Sequence, residues 1–580
     1  MVVRGIGSTP EMKASPVPGV ETPPSRGLWC RIWVTGIGQA GEAAVSLGEL
    51  WKRFSGWVGP NLVPVSVLLA VLLLGGLWFA SPIFHGLFIG FYANWSFWVL
   101  VLLGVAVILF LLTRGYRRPA ILAAVAWTLL LFFFLIFGSA LQQVRFYDSL
   151  QAEALDEIPE TEGVRYLPLE IAARAAQNRA NEPRIALGDF EPLPGGPGEP
   201  LGYVAPRVPN GGFNVFTYEQ QGVAVVDGQG GVETLREPFK YGEGMSITDN
   251  VRWQLIQRRF WATPADPYYS VNGDEVLMLV PYLKYRLSFP VTIPYWAGTF
   301  VVHPDGEIED LSREEVLADR RFEGERLYPD ELARRAADSL AYQNGIWNAW
   351  VTRRDVPKVP DIENTDNEMP YLLPTENGLA WYTALEPYGP SNAIYTMLYT
   401  DAHTGEHSLY KLPLDRALIG PNRSFGFVTN AYPDFQWIRT SAGGETGNVL
   451  SIEPRPVVRT DPESGESVLY WMLSVTTRDS PGINLTAFVD SRDGAVTGLD
   501  SYEEVLAFAR GEDIPGATSQ GGEGVGAEGP AEEPPPANGE EAPGGGVSPE
   551  DLSDEELIQL LREAAERLEE QQQPQESTAP

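Results

Sequence analysis

Cysteine is almost missing from this sequence: one, Cys30, in 580 residues. A lone thiol excludes a disulfide framework and any metal cluster built from cysteines. Histidine is nearly as scarce, with His85, His303, His403 and His407 the only four, so few imidazoles are available for catalysis or metal binding. Basic residues are short as well. Lys and Arg number 42 against 76 Asp and Glu, a formal charge of −34. A nucleic-acid binder needs basic surface to displace counterions from phosphate, so that class is excluded. The chain also lacks a Gly-x-Ser-x-Gly elbow, a phosphate-binding Gly-Lys loop and a His-Glu-x-x-His helix. Its length alone suggests three or four domains.

Two long stretches lack charge altogether: residues 61–112 and 119–144. They hold three apolar runs, 62–79, 95–112 and 119–141. Each is long enough, at about 1.5 Å per helical residue, to cross a hydrocarbon core of roughly 30 Å. Three such runs within 61–141 point to transmembrane helices rather than to buried core helices. The first begins too far from Met1, and is too long, for a cleavable signal peptide. No Asp, Glu, Lys or Arg lies within them, which disfavours transport through these spans.

Flanking charge predicts the orientation. The loop at 80–94 has no Lys or Arg and the loop at 113–118 has Arg114, Arg117 and Arg118. Positive loops stay cytoplasmic. Residues 1–60 are therefore expected inside, 80–94 outside with His85 as an interfacial polar residue, and everything beyond Leu141 outside. Residues 1–118 carry nine basic and four acidic groups, while 119–580 carry 33 and 72. The acidity belongs to the exterior, which has no cysteine, as suits a bacterial cell-surface protein held by its core.

Beyond a polar, acidic connector at 142–165, the exterior reads as repeats in two regions, 142–325 and 326–510. YLPLEIAARAAQN at 166–178 matches RLYPDELARRAADSLAYQN at 326–344, both with helix-start chemistry and apolar residues at helical spacing. LAWYTALEPYGPSNAIYTMLYTDAHTGE at 379–406 lies over LYWMLSVTTRDSPGINLTAFVDSRDGAV at 469–496. Looser copies stand at 202–232 and 276–308. Alternating apolar residues closed by Asp-Gly or Asx-x-Gly turns predict antiparallel hairpins. Short helices are expected at 311–319 and 499–508, capped by Ser312 and by Asp500 or Ser501, and another at 250–261. The fold class expected is a multi-pass membrane protein with an extracytoplasmic α+β region of tandem helix-plus-hairpin units.

The helix followed by strands, the last ending as in LYTDAHTGEHSLY at 398–410 and FVDSRDGAVTGL at 488–499, resembles the PepSY-type domain of bacterial exported proteins. The resemblance covers 166–508 as two to four degenerate units. Tandem units on a membrane anchor are similar to a class of spore-germination accessory protein, which has one span where this chain has three. The resemblance implies a non-catalytic domain that binds or restrains an exported hydrolase or protease.

Candidate chemistry is sparse. Asp401, His403 and His407 surround one turn and could ligate zinc, but the hairpin register already accounts for Asp401. Ser408 and Lys411 have acyl-enzyme spacing, but in a strand rather than on the one helix face that chemistry needs. Asp361, Glu363, Asp366 and Glu368 could hold calcium, or form a solvated acidic loop. Trp347, Trp350, Trp381 and Tyr382 are core candidates, or the walls of a groove. No catalytic, cofactor or metal residue is therefore assigned. Residues 511–547 are Gly/Pro/Glu-rich and read as a disordered linker. Residues 548–573 form an acidic amphipathic helix, a candidate docking element, before the tail at 574–580. The function expected is a membrane-anchored binding module in contact with the bilayer and an envelope protein. An envelope hydrolase with paired carboxylates and a structural subunit of a membrane complex are the alternatives.

Overall fold

The computed structural model describes residues 62–520, less 181, 196–199, 274, 364, 366, 414–415, 442–443, 462–464, 479, 481, 513 and 515–517. The N-terminal segment with Cys30, nearly all of the linker and the helix at 548–573 lie outside the described residues. The described residues open with four helices: α1 (Leu62–Phe79), α2 (Ser81–Ala93), α3 (Trp95–Thr113) and α4 (Arg117–Ser149). Two of them, α3 and α4, are long and apolar enough to cross a membrane. The count rises to three if α1 and α2, bent by 73° at their junction, are taken as one span.

Two expectations change here. Residues 81–93 are not a loop but the helix α2: Pro82 fits its first turn, no further proline follows, and Gly86 and Gly90 are tolerated inside it. The expected connector also starts too early. α4 continues past Leu141 to Ser149, roughly 50 Å in all. Nothing in LQQVRFYDS breaks it, Arg145 pairs with Asp148 at 2.9 Å one turn on, and Phe146 is buried in the core above.

Arg114, Gly115 and Tyr116 join α3 to α4 in a tight turn, so Arg114, Arg117 and Arg118 stand at the far ends of these helices from the sheets. Midway, a Cβ added to Gly104 would lie 2.0 Å from the Trp127 ring. Only glycine lets the helices approach this closely, which is how apolar helices pack where lipid offers no hydrophobic drive.

The mixed helix and sheet region begins with β1 (Glu153–Ala154) and α5 (Leu169–Arg179). The first sheet holds β2 (Ile185–Leu187), β3 (Glu191–Leu193), β4 (Gly202–Pro209), β5 (Val223–Val226) and β6 (Val232–Leu235). After α6 (Val251–Arg258), the second holds β7 (Thr263–Pro264), β8 (Tyr268–Asn272), β9 (Glu275–Ser288), β10 (Val291–Val302) and β11 (Ile308–Ser312). α7 (Arg313–Ala318), α8 (Asp330–Ser339) and helical turns over 345–352 lead to the third. That sheet joins β12 (Pro357–Lys358), β13 (Tyr371–Thr375), β14 (Gly378–Pro387), β15 (Thr396–Asp401) and β16 (His407–Lys411), with β1 parallel at its edge. After α9 (Pro421–Ala431), the fourth runs β17 (Val449–Thr460), β18 (Ser467–Thr477), β19 (Ile483–Asp490) and β20 (Val496–Leu499), and β21 (Thr518–Gln520) closes it after α10 (Tyr502–Ala509).

Hairpins stand at all four expected positions, with Tyr203 opposite Val226, Val280 opposite Phe300, Trp381 opposite Thr400 and Trp471 opposite Val489. Alternate side chains of such strands meet in the core. α7 and α10 each begin with a full capping box, Ser312 with Glu315 and Ser501 with Glu504, which satisfies amide groups the first turn leaves free. Pro168 and Pro329 cap α5 and α8 rather than sitting inside them. One continuous core takes Leu279 and Ile293 from the second sheet, Leu398 from the third, Trp471 from the fourth, and Phe146 from α4. The two expected exterior regions therefore share their interior.

Candidate functional site

A cleft of about 700 Å³ opens where α4 enters the sheets. That volume falls in the range of ligand-binding clefts. Phe146 and Ser149 form its floor, Glu153 its rim, and Arg286, Trp296, Arg313, Tyr328, Glu406 and His407 its walls. These residues come from α4, β1, β9, β10, α7, the segment just before α8 and the turn into β16, so only the tertiary fold assembles them.

Cations over aromatic faces dominate the walls. Arg313 lies 5.6 Å over the Trp296 ring and donates Nη2 to the Thr404 carbonyl at 2.9 Å. Arg286 sits 5.9 Å from the Tyr295 ring, and among the described residues no carboxylate pairs with it. Trp296 meets Tyr328 edge-on at 6.0 Å, and Tyr328 meets His407 at 6.1 Å. Burial pushes the Tyr328 phenol far above its usual range and lowers the His407 imidazole to about 4. His407 is therefore neutral at physiological pH, held by its Nδ1 at 2.8 Å from the Thr400 hydroxyl. Gly405 is required beside them. Its φ is +79°, and a Cβ there would lie 2.2 Å from the Tyr328 ring.

The sequence-singled residues do not converge. Asp401 closes its turn, its Oδ1 accepting from the His403 and Thr404 amides at 2.9 and 2.6 Å. His403 turns away, its Nδ1 2.9 Å from the Glu325 carbonyl, while His407 faces the cleft. Among the described residues no group of three or more His, Cys, Asp or Glu is arranged to hold a metal. Ser408 and Lys411 lie in β16, where Lys411 reaches the Gln343 side-chain oxygen at 3.1 Å. Glu363 and Asp361 bind Asn422 through backbone groups, and Glu368 lies 3.6 Å from Arg334. Asp366 lies outside the described residues. Trp381 and Tyr382 are core, with the Trp381 indole donating to the Tyr328 carbonyl at 2.9 Å. Trp347 and Trp350 are not core. Both are exposed, because their helical turns abut α4 instead of the sheets.

Sequence reasoning passed over a cluster of buried charges. Arg165, Glu453 and Arg455 are each at most 4% exposed. Glu453 accepts from Arg165, from Asn367 at 2.6 Å and from the Leu169 amide at 2.7 Å, at the start of α5. Arg455 donates to the Arg165 and Tyr166 carbonyls at 2.9 and 2.6 Å. Glu453 sits at φ +48° in a bulge between Ile452 and Arg455, a conformation non-glycine residues rarely adopt. The signal was present: Glu and Arg two positions apart inside the apolar run of VLSIEPRPVV. No cleft opens onto these three among the cavities described, and they tie segments 288 residues apart.

Neither a family model, nor a curated protein, nor a solved structure matches the chain. The functional reading therefore rests on the cleft and its surroundings.

Proposed function

We propose that the chain is a membrane-anchored extracytoplasmic binding module, PepSY-like, that recruits or restrains an envelope protein such as a hydrolase or protease. In this reading the spans are 62–79, 95–112 and 119–141, the N-terminus is cytoplasmic, and the mixed region lies outside. The cleft carries the reading. Arginine and aromatic side chains are the types that dominate binding energy at protein interfaces, and here Arg286 and Arg313 lie against Tyr295 and Trp296. The cleft also borders β16, whose outer edge is paired by only two residues of β1, Glu153 and Ala154. The Leu155 amide extends that pairing to the Leu409 carbonyl at 3.0 Å. A partner segment with an acidic side chain fits the cations of the cleft.

Duplication within the exterior is supported by shared turn chemistry. Asp401, Asp461 and Asp490 each accept, through the carbonyl, the amide of Gly405, Gly465 and Gly494 four residues on, at 2.8, 2.8 and 2.9 Å.

A photo-crosslinking residue at Tyr295, in the full chain in native membranes, tests the binding role. One crosslinked envelope protein is expected, lost in an Arg286→Glu, Arg313→Glu variant that still folds. A crosslink pattern indifferent to those charges would refute the assignment. Glu153 and Glu406, also in the cleft, are the carboxylates a hydrolase would use. Hydrolytic activity of the purified chain that disappears in Glu406→Gln would favour that alternative.

A further inference from the structure

Ten large apolar side chains of the mixed region remain exposed, and they are not scattered. Six of them (Trp261, Leu287, Phe289, Trp347, Trp350 and Val351) fall within segments 251–261, 276–304 and 339–354. These same segments touch the apolar helices. Trp350 stacks on Phe137 of α4 at 5.3 Å and 18°. The Tyr92 hydroxyl of α2 donates to the Tyr285 carbonyl at 3.3 Å, and His85 lies 3.0 Å from the Ala262 carbonyl. Just ahead of α2, Gln257 donates to the carbonyl of Phe79, the last residue of α1, at 3.3 Å. Both ends of α2 thus meet the mixed region, so the helix runs along its underside. Ile83 and Leu87 are left exposed on that helix.

Charge divides along the same line. The three segments contain seven basic residues and no Asp or Glu, in a portion of the chain (119–580) with 33 basic against 72 acidic. Among the described residues, no carboxylate pairs with Lys284, Arg286 or Arg354. An acidic protein has gathered unpaired cations beside exposed aromatics on one face.

The height of that face matches a bilayer surface. Phe137 stands twenty residues beyond Arg117 on α4, about 30 Å along the helix, which is the thickness of a hydrocarbon core. Pro290 and Val291, beside Phe289, share a crevice of about 340 Å³ with Phe134, Leu135 and Gly138 of α4. Tryptophan and other aromatic rings settle at the headgroup level, and each nearby Lys or Arg adds attraction to anionic lipid.

We infer that the underside of the mixed region is a lipid-binding surface. Trp261, Phe289 and Trp347 sink to headgroup level in the leaflet beneath it, and Lys284 and Arg354 pair with anionic phospholipid phosphates. The inference rests on α3 and α4 being membrane spans, and the test separates the two.

The full chain, with Cys30→Ser, receives one fluorescent label at a time at Leu129→Cys, near the middle of the apolar stretch of α4 and exposed, or at Phe289→Cys or Trp347→Cys. Each variant is reconstituted in vesicles of phosphatidylcholine with or without phosphatidylglycerol. Nitroxides are carried on the lipid headgroup or on the acyl chain. Acyl-chain quenching at Leu129 reports the spans. Headgroup quenching at Phe289 and Trp347 reports the surface. It is expected to rise at least twofold with phosphatidylglycerol, and to lose that rise in a Lys284→Glu, Arg354→Glu variant. Quenching at Leu129 without quenching at Phe289 and Trp347 would overturn the inference and leave the spans standing. No quenching at any site would overturn both. Quenching that ignores phosphatidylglycerol would remove the anionic lipid from the assignment. Labels at Phe289 and Trp347 unquenched in vesicles, yet shielded from aqueous reagents in native membranes, would give the surface to a protein instead.

Discussion

Leu135 on α4 and Trp471 on β18 are both large and apolar, yet one is 79% exposed and the other fully buried. The contrast holds between the two parts of the molecule. A helix satisfies its own backbone hydrogen bonds and can leave its sides bare to lipid. Strands cannot, so the sheets of the mixed region stack and draw their apolar faces into shared cores. Hydrophobicity alone therefore does not tell where a residue ends up. The backbone that carries it and the solvent around it decide. In the apolar stretches of α3 and α4 the buried residues are small, Ser96, Gly104, Ala120 and Ala140, whereas in the sheets burial extends to charged groups, Glu453 among them.

Breaking the buried charges should have the largest effect, and only on one side of this comparison. Glu453→Gln leaves Arg165 without its carboxylate and removes the negative charge near Arg455. Loss of one partner of a buried pair costs about 3–5 kcal/mol. Chemical denaturation in detergent is expected to show the mixed region unfolding earlier while α3 and α4 stay helical. Equal stability of variant and parent would show that the network carries no such energy.

Next comes Glu386, buried on β14 across from Lys358. Burial raises its carboxyl to about 7 from 4.5, with Lys358 opposing. Because the folded value lies above the unfolded one, its contribution to stability is intact below about 4.5 and is lost as pH rises through 7. At pH ~8 the buried anion costs on the order of 1–3 kcal/mol. Glu386→Gln should then be more stable than the parent at that pH and indistinguishable near pH ~4.5. A variant that tracks the parent across the range would remove burial as the cause.

The smallest effect on the sheets is expected from Gly104→Leu, which drives a side chain into the Trp127 ring. Overpacking of this kind costs about 1–3 kcal/mol. Spin-label distances between α3 and α4 should lengthen while the melting of the mixed region stays unchanged. Concerted loss of both would mean that the two parts fold as one unit.

Much of this division was legible in the sequence. Charge-free runs marked α1, α3 and α4, and Ser312 and Ser501 announced the capping boxes because capping is local chemistry. The turns at Asp401 and Asp490 were readable for the same reason. Missed features were those set by partners far along the chain. The absence of charge at 80–94 was read as a loop, although an uncharged segment beside a membrane can lie on its surface as a helix. Trp347 and Trp350 looked like core because aromatic content does not say which surface lies opposite. The cleft draws on Phe146, Arg286, Arg313 and His407, and no spacing rule links residues so far apart.

The unbroken course of α4 has a mechanical consequence. Its lower part is long and apolar enough to cross a bilayer, and its last two turns, with Phe146 and Ser149, line the cleft. Helices tilt when bilayer thickness changes. A single rigid rod transmits that tilt directly, without a swivel between membrane and cleft. Thinning or thickening of the membrane would then turn the floor against walls anchored in the sheets, which makes the width of the cleft a readout of the lipid around it.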